Sequence, residues 1–139
     1  DAIKALSDAG QIVIAAGGGG IPVLEQEEEL TGASAVIEKD LISGKLACLL
    51  DADELLILTS VEHASVNYHS DTETKLEKVS VSELKDYMKA GHFEDNTMLP
   101  KIQASVAFVE EKPGRRAVIT SIGKAKEGYL GKTGTIITA

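Results

Sequence analysis

Apolar residues along the chain follow two alternating rhythms. Short continuous runs rich in β-branched residues occur at residues 11–16 (Gln11-Ile12-Val13-Ile14-Ala15-Ala16), 55–59 (Leu55-Leu56-Ile57-Leu58-Thr59) and 116–120 (Arg116-Ala117-Val118-Ile119-Thr120). Such runs are the pattern of strands buried on both faces. Each follows a segment with helical spacing. Residues 2–9 carry Ile3 and Leu6 and are ended by Gly10, and residues 41–50 have Asp40 as their expected N-cap. Residues 100–111 open on Pro100, which suits a first turn, and place Ile102, Val106 and Val109 on one stripe. Three helix-and-strand units predict an α/β domain with a parallel sheet and the 100–111 helix lying on it.

The remaining segments predict smaller elements. Residues 81–90 read as a further helix, with Ser80 or Ser82 as cap, apolar Leu84, Tyr87 and Met88, and Gly91 just past its end. Between Ser60 and Val79, the spacing of Val61, Ala64, Val66 and Tyr68 and the polar turn at 70–74 predict a small antiparallel hairpin beyond the strand at 55–59. Residues 134–138 read as a closing strand. No repeat or linker divides the 139 residues, so one domain spans 1–139. The acidic run Glu25, Glu27, Glu28 and Glu29 reads as a solvated loop rather than a metal site, because adjacent carboxylates rarely converge on one ion.

Charge narrows the functional classes. Fourteen Lys and Arg against 22 Asp and Glu give a formal charge of −8, which disfavours nucleic acid or an anionic membrane as the main partner. An anionic small molecule would need a local cradle of lysines and backbone amides working against that field. No run approaches the roughly 18 apolar residues of a membrane span, and residues 1–10 lack the cationic start of a signal peptide; the expected location is cytoplasmic. A single cysteine, Cys48, excludes a disulfide scaffold and sits in an apolar stretch as a core residue.

Three places could carry chemistry. Gly17, Gly18, Gly19 and Gly20, at the exit of the first apolar run, form a ribbon free of side chains, able to take positive φ and turn several N–H groups toward an anion. They do not form a dinucleotide fingerprint, since Pro22 occupies its third glycine position, and Gly131-Lys132-Thr133 is not a P-loop, since Lys126 stands where a glycine is required. Lys39 and Asp40 stand where a strand-like run meets a helix, a common ligand position in open α/β sheets. Lys101 falls in a helix first turn, where a cation is unfavourable by about 0.3–1 kcal/mol unless something anionic offsets it. His63, His69 and His92 show no ligand spacing and are assigned to structure or surface. No nucleophile-elbow or S-x-x-K motif supports a hydrolase.

The segments Gly17-Gly18-Gly19-Gly20-Ile21-Pro22-Val23, Ala35-Val36-Ile37-Glu38-Lys39-Asp40-Leu41, Ile57-Leu58-Thr59, Val66-Asn67-Tyr68, Gly91-His92-Phe93 and Met98-Leu99-Pro100-Lys101 resemble, in order and spacing, the C-terminal half of the carbamate kinases within the amino-acid kinase family. The resemblance implies an αβα sandwich and reversible phosphoryl transfer between ATP and carbamate, the nucleotide bringing its own Mg2+. It implies that Lys39 and Lys101 contact the transferring phosphoryl group, that Asp40 orients them, and that the glycine ribbon helps enclose the small substrate. Thr59, Ser60, Val61, Tyr68, Met98 and Pro100, with the two lysines, would bind nucleotide. It further implies a homodimer in the complete enzyme and an N-terminal half, carrying a second glycine-rich loop and a further lysine, as a separate segment or companion chain. The rival reading is a non-catalytic nucleotide-binding or oligomer-forming fragment. The chain departs from the pattern at Asn96-Thr97, where Gly-Ser is usual, and at Ser60, where related kinases often carry Asp.

Overall fold

The computed structural model describes residues 2–27 and 29–139. Helix α1 (Ala2–Asp8) opens the chain, but residues 11–16 that follow form no strand. This corrects the expectation of a buried strand. Such a strand needs neighbours to take its backbone N–H and C=O groups, and among the described residues none pairs with it. Ile12 and Ile14 are consequently 98% and 97% exposed. The acidic segment expected as a loop instead folds back as β1 (Val23–Gln26) antiparallel to β2 (Glu29–Gly32), Leu24 facing Thr31 and Glu25 facing Leu30. Every residue of both strands is exposed. Glu28 of the acidic run lies outside the described residues.

From residue 39 onward the elements pack. Helix α2 (Lys39–Leu49) leads to β3 (Glu54–Thr59), followed by the small hairpin β4 (Ser65–Val66) and β5 (Thr74–Lys75), shorter than the apolar spacing suggested. Strand β6 (Lys78–Ser80) runs into α3 (Val81–Lys89), whose start is fixed by a capping box: the Glu83 amide donates to Ser80 Oγ while Glu83 accepts from the Ser80 amide. Helix α4 (Leu99–Glu111) precedes β7 (Arg116–Ser121), and α5 (Ala125–Tyr129) precedes β8 (Thr135–Thr138).

The central sheet has the order β3-β7-β8-β6. Strand β3 is parallel to β7 and β6 is parallel to β8, while β7 and β8 are antiparallel. The sheet is thus mainly parallel, with the separate antiparallel hairpin beside it. Alternation along the strands divides its faces. Leu55, Ile57, Ala117, Ile119 and Ile137 join Ile102, Phe108 and Val109 of α4 in the core. On the other face, Val118 and Thr120 meet α5 at Gly128, where a Cβ would stand 2.7 Å from Thr120 Cγ2. Helices therefore lie on both faces of the sheet. Cys48 packs half-buried against the core, as expected, and burial together with a hydrogen bond to Glu111 pushes its thiol pKa up.

Candidate functional site

Two helix starts build the site. Glu38, not Asp40, caps α2: its backbone is extended and its carboxylate accepts from the Asp40 amide at 3.3 Å. The helix therefore begins at Lys39, and Asp40, expected as the cap, stands inside the first turn with its carboxylate released for another partner. That partner comes from α4. Lys101, in the first turn of α4, donates to Asp40 Oδ2 at 2.8 Å and to the Thr97 carbonyl at 3.1 Å. The unfavourable position of a cation at a helix start is thus offset by the protein's own anion and by a carbonyl. Close approach of the two helices supports the pair, since a Cβ on Gly44 of α2 would lie 3.0 Å from the Ala104 Cβ of α4.

Lys39 completes a chain of alternating charges. Its ammonium lies 3.0 Å from Glu38 Oε1 and 3.5 Å from Asp40 Oδ2. The hydrogen bond from Lys39, then that from the Asp40 amide, holds the Glu38 carboxyl below its ordinary pKa, while Glu38 first and Asp40 second raise the Lys39 ammonium. Both lysines therefore converge on one carboxylate. They differ in access: the Lys101 side chain is 11% exposed and that of Lys39 is 58% exposed. The glycine ribbon reaches the same corner. Gly19 (φ +146°) has no room for a Cβ against the Ile37 carbonyl, and its missing Cβ would lie 3.9 Å from the Lys39 backbone nitrogen.

Beside Lys101 opens a cleft of about 200 Å³. Thr59, Ser60 and Val61 at the carboxyl end of β3, Tyr68 from the hairpin, and Met98 and Lys101 from the start of α4 line it. Six sequence-predicted nucleotide contacts thus surround one cavity. Pro100 does not: it is buried in α4, where its ring serves the helix start rather than the cleft. Lys39 and the glycine ribbon lie at the adjoining corner. The cleft also gathers residues outside the predicted nucleotide contacts, namely His63, Ser65, His92, Phe93, Glu94 and Thr97. His63 and His92, expected at structural or surface positions, thus line the cleft; their adjacency to the Tyr68 and Met98 segments is the sequence signal that points to them. Among the described residues, no three His, Cys, Asp or Glu side chains gather as a metal site.

A parallel-sheet edge, paired lysines on a shared aspartate and a cleft at the strand ends suit an anion carrying a larger organic group. The amino acid kinase family profile matches residues 1–121. The chain belongs to the amino acid kinase family. It is 49% identical over 137 residues to a carbamate kinase-like protein, YqeA, of Escherichia coli, covering 99% of this chain and 44% of that one. It is 43% identical to carbamate kinase 2 of Staphylococcus aureus, over 97% of this chain and 43% of that one. The structure of Giardia lamblia carbamate kinase bound to AMP-PNP superimposes with a TM-score of 0.94 at 40% identity, over 99% of this chain and 48% of that one. A Bacillus anthracis UMP kinase shares the fold alone, with a TM-score of 0.64 at 14% identity. The chain spans less than half the length of the curated relatives it matches. Among the described residues no helix is long and apolar enough to cross a membrane.

Proposed function

We propose that the chain is the nucleotide-binding half of a carbamate kinase, taking part in reversible phosphoryl transfer between ATP and carbamate. The observation that carries this reading is the convergence of Lys39 and Lys101 on Asp40 beside the 200 Å³ cleft. In the transfer, the bond between the γ-phosphorus and the ADP oxygen breaks as a bond to a carbamate oxygen forms. A loose phosphoryl transition state leaves the protein positioning and fixed positive charge as its levers. Lys101, held rigidly, and Lys39, more accessible, would face the transferring group; one ammonium at ~4 Å and an effective dielectric near 20 supplies on the order of 4 kcal/mol before desolvation. Asp40 would fix the spacing of the two lysines. Thr59, Ser60, Val61, Tyr68 and Met98 would hold the nucleoside, and the Gly17–Gly20 ribbon would help enclose carbamate. Mg2+ would arrive on the nucleotide.

The remainder of the active site would come from an N-terminal half. The exposure of Ile12 and Ile14 supports this, since their run has the pattern of a buried strand but pairs with no strand among the described residues. An assay for ATP formation from carbamoyl phosphate and ADP, with the chain alone and with an N-terminal half added, tests the reading: activity is expected in the mixture. Within that active mixture, Lys101→Ala should lower turnover by about a thousandfold, and turnover within tenfold of the parent would remove Lys101 from the reaction. The second reading, a nucleotide-binding fragment without catalysis, is favoured by the same unpartnered segment; nucleotide binding with no activity in either sample would select it.

A further inference from the structure

The hairpin that brings Ser65 and Tyr68 to the cleft is too short to hold its own place. Strands β4 and β5 contribute two residues each, Ser65 opposite Lys75 and Val66 opposite Thr74, and an isolated two-stranded ribbon is marginal even when longer. Its turn is tied only to itself: the Ser70 hydroxyl donates to the Asn67 carbonyl at 2.7 Å, and the Asn67 side-chain amide donates to the Thr72 carbonyl at 3.4 Å. The base is held from the central sheet. Thr135, the first residue of β8 and fully buried, accepts from the Ala64 amide at 2.8 Å and donates to the Leu76 carbonyl at 2.5 Å. Ala64 directly precedes β4 and Leu76 directly follows β5, and the Leu76 amide donates to the Ala64 carbonyl at 2.8 Å. One hydroxyl therefore closes the mouth of the hairpin and pins it to β8. A second tie, from the Thr133 hydroxyl to the Glu62 carboxylate, is exposed, and water can replace it. Thr135 has no such substitute, because losing its hydroxyl leaves a buried amide without an acceptor.

We propose that Thr135 is a positioning residue for the nucleotide cleft: it does not line that cleft, yet its hydroxyl docks the hairpin that does. The inference rests on the nucleotide-binding reading above and deepens it. Apparent affinity falls in proportion to the fraction of chains whose hairpin is docked.

The test compares the parent chain with Thr135→Val, which keeps the shape and removes the hydroxyl, and with Thr135→Ser, which keeps the hydroxyl. Amide NMR spectra read the hairpin without nucleotide, and calorimetric titration with ADP in excess Mg2+ reads the cleft. In Thr135→Val the amides of Ala64, Val66 and Lys75 should move most of the way to unstructured positions, while those of Ile102 and Phe108 in α4 stay at parental ones. The same variant should bind ADP about tenfold more weakly, the loss expected when about a tenth of the chains keep the hairpin docked. Thr135→Ser should stay within about threefold of the parent. Parental hairpin amides in Thr135→Val overturn the anchor. Displaced α4 amides or a variant that does not fold also overturn it, since Thr135 would then hold the whole domain. An undocked hairpin with parental ADP affinity overturns the positioning role and leaves the nucleotide reading standing. A parent chain that does not bind ADP overturns the nucleotide reading and this inference together.

Discussion

The two parts of this chain carry similar apolar patterns and meet different fates. Residues 116–120 and 11–16 both read as strands, yet Val118 and Ile119 are fully buried while Ile12 and Ile14 stand almost entirely in solvent. No described residue before Asp40 is buried. The difference lies in partners. Strand β7 is flanked by β3 and β8 and covered by α4 and α5, whereas residues 11–16 pair with no strand among the described residues. Hydrophobic sequence states a demand for burial, and only tertiary context meets it.

The largest expected break in this comparison is at the core. Phe108→Ala should lower unfolding free energy by about 3–5 kcal/mol, whereas Ile12→Ser with Ile14→Ser should change it by less than about 0.5 kcal/mol each, both read from urea denaturation of the isolated chain. Comparable losses from the two sets would mean that the amino-terminal segment packs in solution.

At the junction of the two parts, Asp40→Ala leaves the buried Lys101 ammonium without its carboxylate and should cost about 3 kcal/mol or somewhat more. Lys101→Met should cost about half of that or less, because Asp40 retains Lys39 at 3.5 Å. Denaturation midpoints of the two variants give the order directly, and the reverse order would show that Lys39 does not hold Asp40.

The smallest effect is acid sensitivity. The amide of Ser80, then its hydroxyl, holds Glu83 below its ordinary pKa, and Lys39 does the same for Glu38. A depressed carboxyl contributes stability that is complete above the unfolded value, about 4.3 for Glu, and is lost as pH falls through the lower folded value. The thermal midpoint should therefore be level from neutral pH to about 5 and decline below it. Glu83→Gln should flatten part of that decline; an unchanged acid limb would place the loss elsewhere.

Much of the fold was legible because its signals are local. The stripe of Ile102, Val106 and Val109 marks α4, Ser80 with Glu83 marks the start of α3, and Gly91 at φ +75° marks its end. What escaped was set at a distance or by competition between neighbours. Asp is a favoured N-cap type and Glu is not, and only the geometry shows that Glu38 takes the cap and frees Asp40 for a lysine 61 positions away. The convergence of His63, His92 and Glu94 on one cleft depends on how the hairpin and the loop before α4 fold over the end of β3, which no spacing encodes.

The contact between Gly19 and the Ile37 carbonyl has a mechanical meaning. There is not even a methyl group's clearance between the ribbon at Gly19 and the segment that leads into α2. Any residue larger than glycine at position 19 would have to push the ribbon away from that segment.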